Sequence, residues 1–190
     1  MEVKKYKLKV DKPASIPEPY KNHCLYKKKV KEIDLSIVRP QRAGIILYTK
    51  QNDVFYFGLG VDTLTQEYTD FGGGISYKTD KDVVAGALRE FHEETLKMFT
   101  LNDDDVQDSL ALYNLNNLII FKYISDDMIT ISKKFALLYK KHVKHGCRPE
   151  VCNIVWLSMN EFKEQIGTRN NLFHRIQSFL QKAGNFYWLL

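Results

Sequence analysis

The stretch "ALREFHEETL" (87–96) places one arginine and three carboxylates, Arg89, Glu90, Glu93 and Glu94, within six consecutive positions. Glu90, Glu93 and Glu94 are spaced i, i+3 and i+4, so a helix stacks them on one side. Bare carboxylates so placed repel one another by about 0.2–0.5 kcal/mol a pair. A divalent cation reverses the sign of that interaction. Hard oxygen ligands of this kind suit Mg²⁺ or Mn²⁺, with waters and substrate phosphates completing the shell. For the Glu pair alone, a solvated acidic patch is the better reading. Arg89 beside it and Gly72, Gly73 and Gly74 upstream turn the balance towards a metal site.

The flanking elements must hold these side chains in place. From Asp82, a plausible N-cap, Val83, Val84, Ala87, Leu88 and Phe91 recur at helical spacing and form a buried stripe. The glutamates then lie on a neighbouring face. Upstream, "RAGIILYTK" (42–50) reads as a buried strand, "QND" as a turn and "VFYFGLGVD" (54–62) as a second strand, together a hairpin. "FGGGI" (71–75) reads as a loop or strand end, since glycines suit neither strand nor helix interiors. "SLALYNL" (109–115) and "NLIIFKYI" (117–124) read as paired strands, "SKKFALLYKKHV" (132–143) as a helix and "EVCNIVWL" (150–157) as a strand with Trp156 in the core. Ser158 with Glu161 fits a capping box, and 171–183 reads as a final amphipathic helix. This irregular alternation predicts an α/β fold, a mixed sheet covered by helices.

With 190 residues, 44% of them hydrophobic, the chain suits a single domain, 1–190, with a substantial core. Residues 1–35 read as a Lys- and Pro-containing N-terminal arm, irregular over 11–23. No apolar run reaches the length of a membrane span, and "MEVKKYKLKV" lacks the apolar region of a signal peptide. No membrane partner is expected. Cys24, Cys147 and Cys152 form no disulfide framework, which points to a cytoplasmic, reduced protein. His142, His145, Cys147 and Cys152 match no strong zinc spacing. The net charge is +5, with ten lysines in residues 1–31 and an acidic "DDDVQD" at 103–108. A basic face attracts a polyanion such as RNA, although lysines also serve solubility.

"GGGISYKTDKDVVAGALREFHEETL" resembles the Nudix box, G-x5-E-x7-R-E-U-x-E-E-x-G-U, where U is bulky and aliphatic. Arg89, Glu90, Phe91, Glu93 and Glu94 fill its R-E-U-x-E-E core, with Phe at U. The resemblance implies an α/β/α sandwich with a mixed β-sheet and a loop–helix–loop metal-binding box. It implies hydrolysis of a nucleoside diphosphate linked to another moiety. Three positions depart from the motif. Gly74 stands one residue before the box glycine position. Lys81 stands at the first box glutamate, flanked by Asp80 and Asp82, so the ion pair to Arg89 depends on a neighbouring aspartate. Leu96 replaces the closing glycine, and the helix is expected to continue past it.

The resemblance assigns Glu93 and Glu94 as leading metal ligands, with Glu90 beside them and the Gly74 carbonyl as a further ligand. Arg89 would orient a glutamate without reacting itself. "EVCNIVWLSMNEF" (150–162) further resembles the segment after the box in eukaryotic and related viral mRNA decapping enzymes, through Glu150, Trp156 and Ser158. There the strand-opening glutamate is the proposed general base or a further metal ligand, a role that falls here on Glu150. Capped RNA would then be the partner, with Lys140, Lys141, Lys144, Arg169 and Arg175 candidates for its phosphates; on their own these residues read equally as ordinary wet faces of amphipathic helices. The box begins near residue 73, as in a minimal catalytic domain of the viral kind, acting in the host cytoplasm. The alternatives are a hydrolase of small nucleotides, dinucleoside polyphosphates or diphosphoinositol polyphosphates, and a non-catalytic RNA-binding module. Tyr48, Phe55, Tyr56, Phe57 and Tyr77 are candidates to stack a base, with no sequence ground for choosing among them. Neither the leaving group nor the oligomeric state is legible.

Overall fold

The computed structural model of the chain describes residues 25–168 and 171–190. Its strands are β1 (Tyr26–Lys29), β2 (Arg42–Gln51), β3 (Val54–Asp62), β4 (Tyr68–Thr69), β5 (Phe71–Gly74), β6 (Leu110–Tyr113), β7 (Asn117–Tyr123) and β8 (Val151–Ser158). Its α-helices are α1 (Val83–Glu94), α2 (Asp103–Val106), α3 (Met128–Lys144), α4 (Met159–Gly167) and α5 (His174–Ala183).

Alternation along β2 sets the layers. Ala43, Ile45 and Leu47 pack on one face and Ile46 on the other, all fully buried. A strand apolar on both faces belongs inside a sheet with helices on each side. β2 holds that place in the order β1-β6-β7-β2-β3-β4, with β5 joined to β2 and β8 to β3. β2 runs parallel to β7, Arg42 beside Asn117 through Tyr48 beside Tyr123. The other pairings are antiparallel, so the sheet is mixed. Val83, Val84 and Phe91 of α1 and Phe135 of α3 cover the Ile45 and Leu47 face. Phe162 and Ile166 of α4 and Phe179 and Leu180 of α5 cover the Ile46 and Phe57 face. This is the helix-covered α/β sandwich that the sequence predicts.

The hairpin forms as expected. Its turn residues Asn52 and Asp53 both have positive φ, 49° and 61°, which suits a two-residue connection between twisted strands. β3 pairs with the second half of β2, from Leu47 opposite Gly58 to Gln51 opposite Val54. β5 pairs with the first half, from Ile45 opposite Phe71 to Arg42 opposite Gly74. The glycines of 71–75 are therefore a strand, and not a loop. Backbone crowding explains them: a Cβ on Gly72 would stand 2.3 Å from the Gly44 Cα.

Two other expectations change. Of the expected arm 1–35, residues 1–24 lie outside the described residues, and Tyr26–Lys29 form β1, paired with β6, Tyr26 opposite Tyr113. Trp156 is only partly buried, with its ring lying against Gly58. Elsewhere the expected elements appear, including the Ser158–Glu161 capping box that opens α4.

α1 is fixed at both ends and in the middle. The Asp82 side chain accepts from the Val84 and Ala85 N–H groups at 3.0 and 2.9 Å. Phe91 meets Phe71 of β5 edge to face, centroids 5.7 Å apart. Burying such a ring contributes about 1.5–3 kcal/mol. The helix does not run past Leu96 as expected. It stops at Glu94, and Leu96 and Lys97 take φ of 55° and 57°. The Lys97 N–H donates to the His92 carbonyl at 2.7 Å and Leu96 packs on the core, so a left-handed closure forms without the glycine that usually serves it.

Candidate active site

Arg89 joins the parts. Its Nε and Nη2 donate to the Asp80 Oδ1 and Oδ2 at 2.9 and 3.0 Å. Nη1 donates to Glu90 Oε1 at 2.8 Å, and Nη2 also to the Gly74 carbonyl at 3.0 Å. Glu93 Oε1 stands 3.7 Å from Nη1. One planar donor group therefore ties the loop after β5, the end of β5 and the carboxylate face of α1. Asp80 replaces the glutamate that the motif would place at Lys81, while Asp82 is the helix cap. The Arg89 hydrogen bonds hold the Asp80 carboxyl below the ordinary carboxylate range. The Gly73 position shows how closely α1 approaches β5: a Cβ there would lie 2.5 Å from the Glu90 carboxylate.

Glu94 is buried, and its Oε2 accepts from the Gly72 N–H at 2.7 Å. Burial, then Asp70 and, to a lesser degree, Glu150, push its carboxyl up to about 9, against the lowering pull of the Gly72 N–H and Arg42. Beneath it, Arg42 donates to both Asp70 oxygens at 2.8 and 2.6 Å and to the Gly72 carbonyl at 2.9 Å. Asp70 is fully buried. Desolvating such a pair is costly unless its remaining donors and acceptors are met, and here the strand carbonyl helps to meet them.

Neighbouring helix positions diverge by about 100°, and this separates Glu93 from Glu94. Glu94 lines a cavity of about 650 Å³ together with Gly74, Glu150 and Arg175. Glu93 is exposed and borders a different hollow with His92 and Lys97. Glu90 lies between them, over Gly73. Glu150 precedes β8, and its carbonyl accepts from the Thr63 N–H at 2.7 Å. Lys140, Lys141 and Lys144 are exposed on α3 and do not line the cavity. Arg169 lies outside the described residues. None of the five aromatics singled out in the sequence lines the cavity; Phe173 does.

The donor set fits a hard divalent cation. Glu94 is a buried acid without a full counter-charge, and Glu150 lines the same cavity, while Glu90 is held by Arg89 over Gly73 and does not line it. Among the described residues, no three His, Cys, Asp or Glu side chains converge into a ready-made cage. Mg²⁺ is commonly bound by one or two carboxylates plus substrate phosphates, so an incomplete protein shell agrees with its habits. Bound there, such an ion would supply an activated water and would offset charge on a phosphate. Of the chain's own residues, Arg89 orients Glu90, the Gly72 N–H orients Glu94, and Gly74 is the one of the three glycines with open space above it.

Sequence reasoning missed Arg42, Asp70 and Phe173. The only local signal for the first two was a charged residue at the edge of each apolar strand, "RAGIIL" and "DFGGG".

No protein-family model matches the chain, and no curated protein does. Similar solved structures include a C. elegans Ap4A hydrolase in a binary complex, 18% identical, covering 78% of this chain and 98% of that one, with a TM-score of 0.43. The C. elegans Ap4A hydrolase in a second structure is 16% identical, covering 80% and 99%, with a TM-score of 0.43. The NUDIX domain of Shewanella oneidensis NrtR, complexed with ADP ribose, is 12% identical, covering 76% and 86%, with a TM-score of 0.42.

Proposed function

We propose that the protein is a divalent-metal-dependent hydrolase of the Nudix type that cleaves a phosphoanhydride bond in capped RNA and releases m7GDP. The observation that carries the hydrolase reading is the Arg89 clasp on Asp80, Glu90 and Gly74, set beside buried Glu94 at a cavity that Glu150 also lines. Carboxylates gathered beside strand glycines suit a metal-bridged phosphate.

The RNA part of the reading rests on α3. Its exposed Lys140, Lys141 and Lys144 lie on the stretch that runs through Arg148 and Pro149 into Glu150. A phosphate chain leaving the cavity along that stretch would meet successive cations. Small nucleotides and dinucleoside polyphosphates are the second reading, because those lysines lie outside the cavity and an RNA body is not needed to fill it. A densely phosphorylated inositol is disfavoured. Among the described residues lining the cavity, the cations are Arg42 and Arg175, and Arg42 is engaged by Asp70.

The test is product analysis with Mg²⁺ or Mn²⁺ on cap-labelled RNA, free cap dinucleotide, nucleoside triphosphates, dinucleoside polyphosphates and diphosphoinositol polyphosphates. Release of m7GDP from capped RNA, and not from free cap, is expected. Turnover of the small substrates alone would remove the decapping reading and leave the second one.

A further inference from the structure

One wall of the Glu94 cavity carries an aromatic ring that metal or phosphate chemistry does not explain. Phe173 and Arg175 line it, on the segment that enters α5. That segment is held like an added strand: the Tyr68 N–H donates to the Asn171 carbonyl at 2.6 Å, and the Phe173 N–H to the Tyr68 carbonyl at 2.8 Å. Leu172 beside it is buried. The backbone of Phe173 is thus pinned to β4, while its ring stays partly exposed at the cavity.

Phe173 is also the N-cap residue of α5 and makes no side-chain cap. Ser, Thr, Asp or Asn would serve the helix better there. The ring packs in part against the core cluster that holds Phe162 and Phe179, and what remains exposed borders the cavity, where a small polar cap residue would offer no flat face. Arg175, two residues on, is exposed and has no ion pair or side-chain hydrogen bond among the described residues, although Glu94 and Glu150 line the same cavity. Across the sheet, on the β7 side of β2, Gln41, Asn116 and Asn117 line the opposite lip.

Three of the other candidate rings are engaged elsewhere, and none of the five lines the cavity. Phe57 is fully buried. Tyr48 packs against Tyr123, centroids 5.5 Å apart. The Tyr77 hydroxyl donates to the Pro40 carbonyl, with Arg39 over its ring.

We infer that Phe173 is the platform on which the substrate's nucleobase stacks and that Arg175 binds the phosphate next to that base. The inference rests on the cavity being a phosphoanhydride hydrolase site. A partly exposed ring held by a rigid backbone offers a stacking face to any base, and an unpaired guanidinium two residues away reaches the phosphate that follows it.

The test is calorimetric titration of the whole chain with GDP and with inorganic pyrophosphate, both with Mg²⁺, and with turnover followed separately. Phe173→Leu keeps apolar volume and removes the ring. It should weaken GDP about tenfold or more and leave pyrophosphate within about twofold. Phe173→Trp should keep GDP binding and checks that the site tolerates change. Arg175→Ala should weaken both ligands. The inference is overturned if Phe173→Leu binds GDP as the wild type does, if it loses both ligands equally, or if the wild type binds GDP no more tightly than pyrophosphate. Failure of the hydrolase reading is seen separately, as absent turnover of every phosphoanhydride while these binding differences persist.

Discussion

The Arg89 guanidinium and the Asp80 carboxylate meet through two parallel hydrogen bonds, Nε to Oδ1 at 2.9 Å and Nη2 to Oδ2 at 3.0 Å. Through them the loop after β5 is locked to the face of α1 that bears Glu90. Asp80 does not line the Glu94 cavity, so it acts on the chemistry by positioning. Asp80→Asn removes the charge and one acceptor from the pair. It should lower kcat about 10–100-fold with little change in KM. A double-mutant cycle with Arg89→Lys should show coupling of about 1–2 kcal/mol in unfolding free energy. Additive effects would mean that the clasp does not organise the site.

Glu94 sets a pH dependence for the metal-free protein. Its folded value of about 9 lies above the ordinary 4.5, so the folded chain keeps a proton that the unfolded chain releases. This contribution to stability is full below about pH 4.5 and is lost as pH rises towards about 9. The Tm of the metal-free wild type should fall over that window. Glu94→Gln, neutral throughout, should flatten the fall and be the more stable protein at pH 8, while losing turnover. An unchanged slope of Tm against pH would show that Glu94 is not the group responsible.

Gly73 leaves space that Glu90 fills. Gly73→Ala would bring a methyl 2.5 Å from the Glu90 carboxylate. The side chain or the strand must then shift, at about 1–3 kcal/mol, and turnover should drop at least about tenfold. Full activity with unchanged Tm would show that α1 and β5 are not held at this spacing.

Lys97 is exposed and has a φ of 57°. Lys97→Gly relieves a left-handed conformation that costs a residue with a Cβ about 1–2 kcal/mol, and it gives back part of that through a more flexible unfolded chain. Chemical denaturation should show a net gain of about 0.5–1 kcal/mol. A net loss would indicate that the lysine side chain does more at the helix end than the structure shows.

The start and the buried face of α1 were legible, because the apolar period, the Asp82 cap and the glutamate spacing are all local. The hairpin was legible for the same reason. Four features were not. β5 is a strand despite its glycines, because what they avoid, the Gly44 backbone and the Glu90 carboxylate, comes from distant parts of the chain. The Arg42–Asp70 pair forms only because β2 and β5 are neighbours. Phe173 reaches the site through pairing with Tyr68, and nothing in the local pattern of 171–183 marks it. The helix end at Leu96 also escaped, since leucine at positive φ runs against its usual preference.

The most direct test of the account is the release of labelled m7GDP from capped RNA with Mg²⁺, comparing the wild type, Glu94→Gln and the wild type with chelator. The wild type should turn over, Glu94→Gln should lose about 100-fold or more with RNA binding retained, and chelator should abolish release. Turnover that survives both the chelator and the loss of the Glu94 carboxylate would contradict it.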